Sequence, residues 1–162
     1  MAAYQFVTQW HLAAPIDTVW AAIQHTEDWP QWWPAVVLVE ELNPGAADGL
    51  GNVRRFVWKM PLFYTLTFET EVVRIQAPVL MEAIAVGEVV GNGVWQLTST
   101  DQGTSVTYTW TVRTTKAWMN VLAAIARPIL EWNHNAVMYQ GGQGLAKRLN
   151  TILFSMDSTA AS

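Results

Sequence analysis

The chain has no cysteine, and only 14% of its 162 residues are charged, against about 25% in an average soluble protein. Without cysteine, thiol nucleophiles are excluded. The longest unbroken apolar run, 121–126, is far shorter than the roughly 20 residues that a membrane-spanning helix needs, so we expect no integral membrane contact. The N-terminus has no basic residues and is not typical of a secretion signal, which predicts a cytoplasmic protein.

Basic residues are also missing from the whole segment before Arg54, which carries six acidic side chains. The remainder carries nine basic and seven acidic residues, so the formal net charge of -4 arises from the first third. No basic stripe is available to follow a phosphate backbone, and nucleic acid is not an expected partner. Nothing in the sequence indicates an oligomeric state.

The chain is rich in apolar residues: 51% of its residues are hydrophobic, and ten are tryptophans. This composition excludes disorder, collagen and coiled coil. A chain of this length can bury roughly 70% of its unfolded surface, enough for a core that encloses a cavity. We predict one domain over 1–154, followed by a flexible tail of small residues at 155–162.

The hydrophobic periodicity predicts an α+β fold. A strand over 4–12 precedes a helix that begins near Pro15, and a short helical turn lies between Thr26 and Pro34. Strand spacing then predicts six strands, at 36–42, 52–60, 63–75, 79–89, 93–100 and 104–114. Turns are predicted between them, including one at 91–93. A short helix over 117–126 should end before Pro128, followed by a long C-terminal helix. We expect a seven-stranded antiparallel sheet curled around that long helix, with a cavity between them.

The predicted long helix has one apolar face, which contains Leu130, His134, Val137, Gly141 and Leu145. Glycine costs about 1 kcal/mol relative to alanine inside a helix. The three glycines at 141, 142 and 144 therefore indicate a close approach between this helix and the sheet.

Four segments together resemble the SRPBCC superfamily, which has the helix-grip fold, and specifically its polyketide cyclase/dehydrase-like branch. They are Ala14-Pro15-Ile16-Asp17-Thr18-Val19-Trp20, Trp29-Pro30-Gln31-Trp32-Trp33-Pro34, Gly103-Thr104-Ser105-Val106-Thr107-Tyr108-Thr109-Trp110, and Trp132-Asn133-His134 with Val137-Met138 and 141–145. The resemblance implies a large internal pocket for hydrophobic or aromatic small molecules. Members of the superfamily range from carriers and lipid-binding modules to polyketide aromatases and cyclases, and no universal catalytic signature can be transferred to this chain.

Strand alternation selects candidate ligand-binding residues, because inward positions recur every second residue. Small side chains at Ala83 and Ala85 would leave volume for a ligand between large neighbours. Helix spacing adds His134 and Val137 from the C-terminal helix. The predicted set is Arg54, Phe56, Trp58, Tyr64, Leu66, Phe68, Ala83, Ala85, Trp95, Tyr108, Trp110, His134 and Val137.

Each candidate also has a purely structural interpretation. Aromatic residues at strand spacing are commonly plain core, and a single histidine on an apolar helix face is commonly a buried residue with its hydrogen bonds satisfied. Arg54 could pair with an acid at the end of the sheet, because an isolated guanidinium is costly to bury. A few polar groups converging in an apolar cavity are nevertheless typical of a small-molecule site.

Three functional hypotheses follow. The first is a binding module that holds a hydrophobic, aromatic or polyketide-like small molecule in the internal cavity. The second is a polyketide cyclase or aromatase-like enzyme, in which His134 acts as acid or base and Arg54 and Tyr108 are orienting donors. In the third, exposed tryptophans of 26–34 dock a protein partner or a membrane surface, unless they close one end of the cavity.

No cofactor and no metal are predicted. The sequence has no phosphate-binding glycine loop and no Gly-x-Ser-x-Gly elbow. His25, Glu27 and Asp28 lie close together in the sequence but lack the spacing of metal ligands.

Overall fold

Eight antiparallel strands form one sheet in the computed structural model, which describes residues 3–62 and 64–161. The order across the sheet is β2-β3-β4-β5-β6-β7-β1-β8, so the chain runs as a meander from β2 to β7 and the two terminal strands join one side. The strands are β1 (Ala3–Leu12), β2 (Val36–Asn43), β3 (Val53–Lys59), β4 (Thr65–Gln76), β5 (Leu80–Gly87), β6 (Val89–Thr100), β7 (Gly103–Thr114) and β8 (Leu153–Ala161).

The helices occupy the two predicted places in the chain. After β1 come α1 (Ile16–Gln24), a 3-10 turn (Thr26–Asp28) and the one-turn α2 (Trp29–Trp32). After β7 come α3 (Ala117–Val121) and the long α4 (Ala123–Arg148). This is the predicted α+β arrangement of a large antiparallel sheet with a long C-terminal helix. None of the helices within the described ranges has an apolar stretch long enough to cross a membrane.

The sheet has eight strands where seven were predicted, and the added strand comes from the predicted flexible tail. Residues 155–161 belong to β8, which pairs with β1 in a register that sets Thr8 opposite Ser158. The prediction of an unstructured tail is wrong here because pairing with a distant strand, rather than local strand propensity, holds this segment. The last residue of the predicted tail, Ser162, lies outside the described residues.

Two other boundaries differ from the prediction. The strands predicted at 79–89 and 93–100 meet at Glu88 rather than at a turn over 91–93, which lies inside β6. Gly93 faces β7, where an added Cβ would lie 2.6 Å from the Tyr108 hydroxyl. This glycine therefore does not form a turn; its lack of a side chain leaves space for the Tyr108 ring. The predicted start of β4 at Phe63 lies outside the described residues.

The break between α3 and α4 falls at Leu122, and Pro128 lies inside α4 rather than before it. Pro128 is near the beginning of the helix, where it removes a single backbone hydrogen bond while most of the helix continues beyond it. The long helix therefore begins earlier than the sequence predicts.

Close packing at Gly142 confirms the predicted approach of α4 to the sheet, whereas Gly141 and Gly144 lie against Trp33 and Trp32 of the segment that follows β1. An added Cβ at Gly141 would collide with the Trp33 ring, and one at Gly142 would lie 3.0 Å from Nε1 of Trp10. Trp10 belongs to the sheet as predicted, whereas Trp33 follows α2. The short helical segment after β1 is therefore packed between the sheet and α4.

Candidate ligand cavity

A cavity of about 90 Å³ lies between the curved sheet and α4. Its wall is almost entirely apolar and aromatic, with side chains from β1, β3, β4, β6, β7, α3 and α4. The lining residues are Tyr4, Phe6, Trp58, Met60, Tyr64, Leu66, Phe68, Val89, Tyr108, Trp110, Val112, Thr114, Met119, Leu130, His134, Val137 and Met138. We call this space the first cavity.

A second cavity of about 60 Å³ lies toward the 3-10 turn and α2. Four aromatic side chains, Trp58, Phe68, Tyr108 and Trp110, line both spaces and form the partition between them. The second cavity is completed by Thr26, Trp29, Arg54, Phe56, Thr70, Val72, Met81, Ala83, Gly93 and Trp95. The pocket that strand alternation predicts is thus divided in two.

The predicted ligand-binding residues divide between these cavities. Those lining the first are Trp58, Tyr64, Leu66, Phe68, Tyr108, Trp110, His134 and Val137. Those lining the second alone are Arg54, Phe56, Ala83 and Trp95. Ala85 is buried but lines neither cavity. Of the two alanines predicted to leave space for a ligand, only Ala83 therefore borders a cavity.

His134 points from α4 into the first cavity and stacks on Phe6, with ring centroids 4.1 Å apart. Both of its ring nitrogens are buried, and neither has a hydrogen-bond partner among the described residues. Burial lowers the pKa of His134 to about 3, because the cavity wall cannot solvate an imidazolium, and the neighbouring Asn135 side chain offsets only part of this shift. The side chain is therefore neutral at physiological pH, with one nitrogen available to donate and the other to accept.

Tyr108 stands in the partition and stacks on Trp95 with ring centroids 4.1 Å apart. Burial raises the pKa of its hydroxyl far above the usual value, so the phenol is a neutral hydrogen-bonding group. Its ring borders both cavities.

Arg54 is held by acidic residues at the far end of the second cavity. Its Nε donates to Oε1 of Glu27 at 2.7 Å, and its Nη2 lies 3.8 Å from Oε2 of Glu41. Burial pushes the pKa of Glu27 upward, but the backbone hydrogen bond of Glu27 and the Arg54 guanidinium outweigh it and hold the pKa below its usual value. The paired guanidinium fits the structural interpretation of this residue.

The three groups predicted to share a reaction site are thus separated. His134 lines the first cavity alone, Arg54 lines the second alone, and Tyr108 stands between them. A ligand confined to the first cavity can reach His134 but has no access to the guanidinium.

Two buried polar groups, on residues that line the first cavity, were not predicted. The Tyr4 hydroxyl and Nε1 of Trp58 are both buried without a hydrogen-bond partner in the described residues. Trp58 was selected as an aromatic wall residue only, and Tyr4 was not selected. Alternation along β1 could have found Tyr4, since it is on the same face as Phe6 and Trp10.

Asn133 of α4 holds the β3–β4 connection at one side of the first cavity by hydrogen bonds to its backbone. This fully buried amide accepts a hydrogen bond from the Leu62 backbone N–H at 3.0 Å and donates to the Leu62 carbonyl at 2.9 Å. Tyr64 follows this connection and packs edge-on against Trp118 of α3, with centroids 5.8 Å apart. Both contacts hold the connection over the cavity.

The tryptophans of the short helical segment are buried at the opposite end, where Trp29 lines the second cavity. Trp29, Trp32 and Trp33 are all less than 8% exposed, and Trp33 packs against Trp58 with centroids 4.9 Å apart. The hypothesis that this cluster docks a partner or a membrane surface needs exposed indoles and is therefore wrong. Its alternative, closure of one end of the cavity, agrees with the burial.

Across residues 3–62 and 64–161, no three histidine, aspartate or glutamate side chains come together as a group that could hold a metal ion. His25 is exposed, and its Nδ1 lies 2.8 Å from the Ala21 carbonyl oxygen of its own helix.

The fold and the cavity agree with the comparisons with known proteins. Residues 4–149 match the family described as polyketide cyclase / dehydrase and lipid transport, so the chain belongs to that family of helix-grip proteins. The comparison with curated proteins gave no match.

Solved structures of the same fold include two aromatase/cyclases. The Zhui aromatase/cyclase from Streptomyces sp. R1128 is 19% identical with a TM-score of 0.71, over 92% of this chain and 93% of the other. The di-domain aromatase/cyclase StfQ of the steffimycin biosynthetic pathway is 14% identical with a TM-score of 0.67, over 91% of this chain. The match covers 52% of StfQ, so the chain spans about half the length of that protein.

A third structure of this fold is the protein TTHA0849 from Thermus thermophilus, 15% identical with a TM-score of 0.71, over 89% of this chain and 98% of the other. At these identities the likeness defines the fold, and function has to be argued from the cavity.

Proposed function

We propose that the chain binds a hydrophobic, aromatic or polyketide-like small molecule in the first cavity. The observation that carries this proposal is the composition of the wall, which combines a nearly continuous apolar surface with residues whose buried polar atoms have no hydrogen-bond partner in the described part of the chain. Apolar pockets with a few polar groups are the usual form of a small-molecule site. A plain core would leave few such atoms unsatisfied, because each costs free energy when buried.

Ligand binding can be tested by blocking one cavity at a time. Val137 of α4 lines the first cavity and Ala83 of β5 lines the second. We expect toluene or p-cresol to alter the intrinsic tryptophan fluorescence of the full chain, since Trp58 and Trp110 stand in the wall. Val137→Phe should abolish the response by filling the first cavity, whereas Ala83→Val should preserve it.

Both variants should first be compared with the unmodified chain by near-ultraviolet circular dichroism, which reports the packing of the tryptophans. A panel of aromatic compounds that leaves the fluorescence of the folded chain unchanged would contradict the proposal. So would a response that survives Val137→Phe with unchanged affinity.

The second candidate function is a cyclase or aromatase reaction, and the observation that favours it is the neutral, unpartnered imidazole of His134. Such a group can take a proton from a carbon between two carbonyls, and the Tyr108 hydroxyl could donate a hydrogen bond to the enolate oxygen. Arg54 has no part in this version, since it is paired with Glu27 away from the first cavity.

The reaction can be separated from binding with His134→Ala. If the chain cyclises a linear poly-β-carbonyl substrate, this variant should lower the rate of product formation by at least 100-fold while weakening substrate binding far less. Arg54→Gln is the matched control and should leave the rate unchanged. Equal activity in the chain with and without His134 would exclude the imidazole as the acid or base.

A further inference from the structure

Buried polar atoms without partners are concentrated on the wall of the first cavity. Among the described residues, six buried side-chain atoms lack a hydrogen-bond partner, and four of them belong to Tyr4, Trp58 and His134. All three residues line the first cavity. Because an unpaired buried polar group costs free energy, this concentration indicates that a bound molecule completes the hydrogen bonds.

The chemistry of these atoms defines what that molecule must offer. The indole N–H of Trp58 can only donate, so it needs an acceptor. The neutral imidazole of His134 has one donor and one acceptor nitrogen, and the Tyr4 hydroxyl can act as either. A hydroxyl group on the ligand meets both needs, since it can accept from the indole and donate to the imidazole.

The cavity also excludes a charge on the ligand. No lysine or arginine side chain lines it, and the nearby guanidinium of Arg127 is paired with Glu131 at 2.9 Å. Arg127 itself is not a lining residue. Its guanidinium carbon lies 5.8 Å from the centre of the Tyr4 ring. A carboxylate or phenolate in the first cavity would be desolvated without a counter-ion, which is unfavourable.

Size sets a further limit. The first cavity measures about 90 Å³, below the roughly 150 Å³ of an apolar cavity that binds benzene, so even a single-ring ligand requires the lining side chains to move outward slightly. It is far below the roughly 300 to 1,000 Å³ of pockets for larger ligands. The partition of four aromatic side chains separates it from the second cavity. A fused multi-ring molecule would have to displace these packed rings.

We propose that the first cavity selects an uncharged, single-ring aromatic molecule that carries a hydroxyl group, with Trp58 Nε1 and the His134 imidazole as its hydrogen-bond partners. The inference rests on the proposed function, because it names the class of ligand that the same cavity takes. It narrows that function to phenol-like molecules and makes Trp58 and His134 the residues that determine specificity.

The test compares four probes that share an aromatic body: toluene, p-cresol, 4-methylbenzoate and 2-naphthol. Affinities are measured by calorimetry on the full chain at pH 7, and the indole N–H resonances are followed by two-dimensional NMR. We expect p-cresol to bind about tenfold more tightly than toluene, and 4-methylbenzoate and 2-naphthol to bind more weakly than p-cresol. The indole signal of Trp58, assigned by its loss in Trp58→Phe, should shift with p-cresol and not with toluene.

The variants separate hydrogen bonding from packing. Trp58→Phe and His134→Phe keep an aromatic ring but remove the polar atoms, so each should reduce p-cresol affinity about tenfold and leave toluene affinity unchanged. Trp118→Phe is the control, because that indole is 40% exposed and is not part of the lining. Two polar-to-Phe variants are used so that misfolding of one leaves the other informative.

The results distinguish this inference from the proposal beneath it. Equal affinities for toluene and p-cresol would overturn the hydroxyl specificity while leaving aromatic binding in place. Tighter binding of 4-methylbenzoate or 2-naphthol would overturn the neutral, single-ring class in the same way. No binding of any probe, with the chain folded, would overturn both.

Discussion

The buried imidazole of His134 has consequences for stability as well as for ligand recognition. In the unfolded chain a histidine has a pKa of about 6.5, whereas burial lowers the pKa of His134 to about 3 in the fold. The unfolded chain therefore takes up a proton first as the pH falls. The stabilisation linked to this residue is complete above pH 6.5 and is lost progressively as the pH falls toward the folded pKa.

This linkage predicts a loss of about 2 kcal/mol between pH 6.5 and pH 5, measured as the free energy of unfolding in urea. Glu27 and Glu88 have lowered pKa values, but the stabilisation linked to them is lost mainly below 4.5, the ordinary pKa of a glutamate side chain. His134→Phe should remove the loss in the higher range, whereas His25→Gln, at an exposed position, should keep it. An unchanged slope in His134→Phe would contradict the burial of a neutral imidazole.

Arg54 illustrates the opposite case, a charged group whose partner is part of the fold. Its side chain is 12% exposed and joins β3 to the 3-10 turn through Glu27. We expect Arg54→Gln to lower the free energy of unfolding by about 1 kcal/mol or less, because the Glu27 side chain is 37% exposed and water can replace much of the lost donor. p-Cresol affinity should stay unchanged, since Arg54 lies beyond the partition; a tenfold loss would mean that the two cavities act as one.

At the level of elements, the packing of α4 depends on positions without side chains. The indole N–H of Trp33 donates to the Val137 carbonyl at 2.8 Å, and that of Trp10 donates to the Met138 carbonyl at 3.1 Å. Gly141 and Gly142 lie one turn further along, where a Cβ would meet these same rings. The glycines let two tryptophans bind the helix backbone directly, which fixes α4 over the cavity.

Alanine at Gly141 should therefore destabilise the protein even though alanine favours helices. Helix propensity alone predicts a gain of about 1 kcal/mol, while overpacking against the fully buried Trp33 ring predicts a loss of about 1 to 3 kcal/mol. We expect the loss to win in urea or thermal unfolding. Gln143→Ala, on the exposed side of the same helix, should change stability little. A Gly141→Ala variant that is more stable than the parent would show that the ring has room to move.

Strand alternation predicted which face of each element turns inward, because that pattern is a local property of the chain. It could not predict where along a strand the cavity would divide. On β3, Arg54 lines the second cavity, Trp58 lies in the partition, and Met60, just beyond the strand, lines the first. The partition depends on how four rings from three strands pack together, which only the folded structure defines.

At the scale of the whole molecule, β8 completes the sheet in a way that the sequence did not indicate. Six of its nine residues are small or polar, yet Ser158 donates to Oδ1 of Asn135 at 2.7 Å and lies 3.2 Å from the Thr8 hydroxyl. One side chain of β8 thus connects β1 to α4. The pairing of β8 with β1 joins parts of the chain more than a hundred residues apart, which is why a local pattern cannot reveal it.

Removal of β8 tests whether this segment is structural. A chain that ends at residue 152 should lose about 2 to 4 kcal/mol in urea unfolding, because the ladder to β1 and the partly buried Leu153 and Met156 are lost. In an antiparallel strand, alternate amides face each neighbour, so hydrogen exchange should speed up at the β1 amides that face β8 and stay slow at those that face β7. A chain that ends at residue 160 keeps nearly the whole ladder and should match the parent. If the chain that ends at residue 152 instead matched the parent in stability and in hydrogen exchange, β1 would form an adequate sheet edge alone. The segment after α4 would then behave as the flexible tail that its composition suggests.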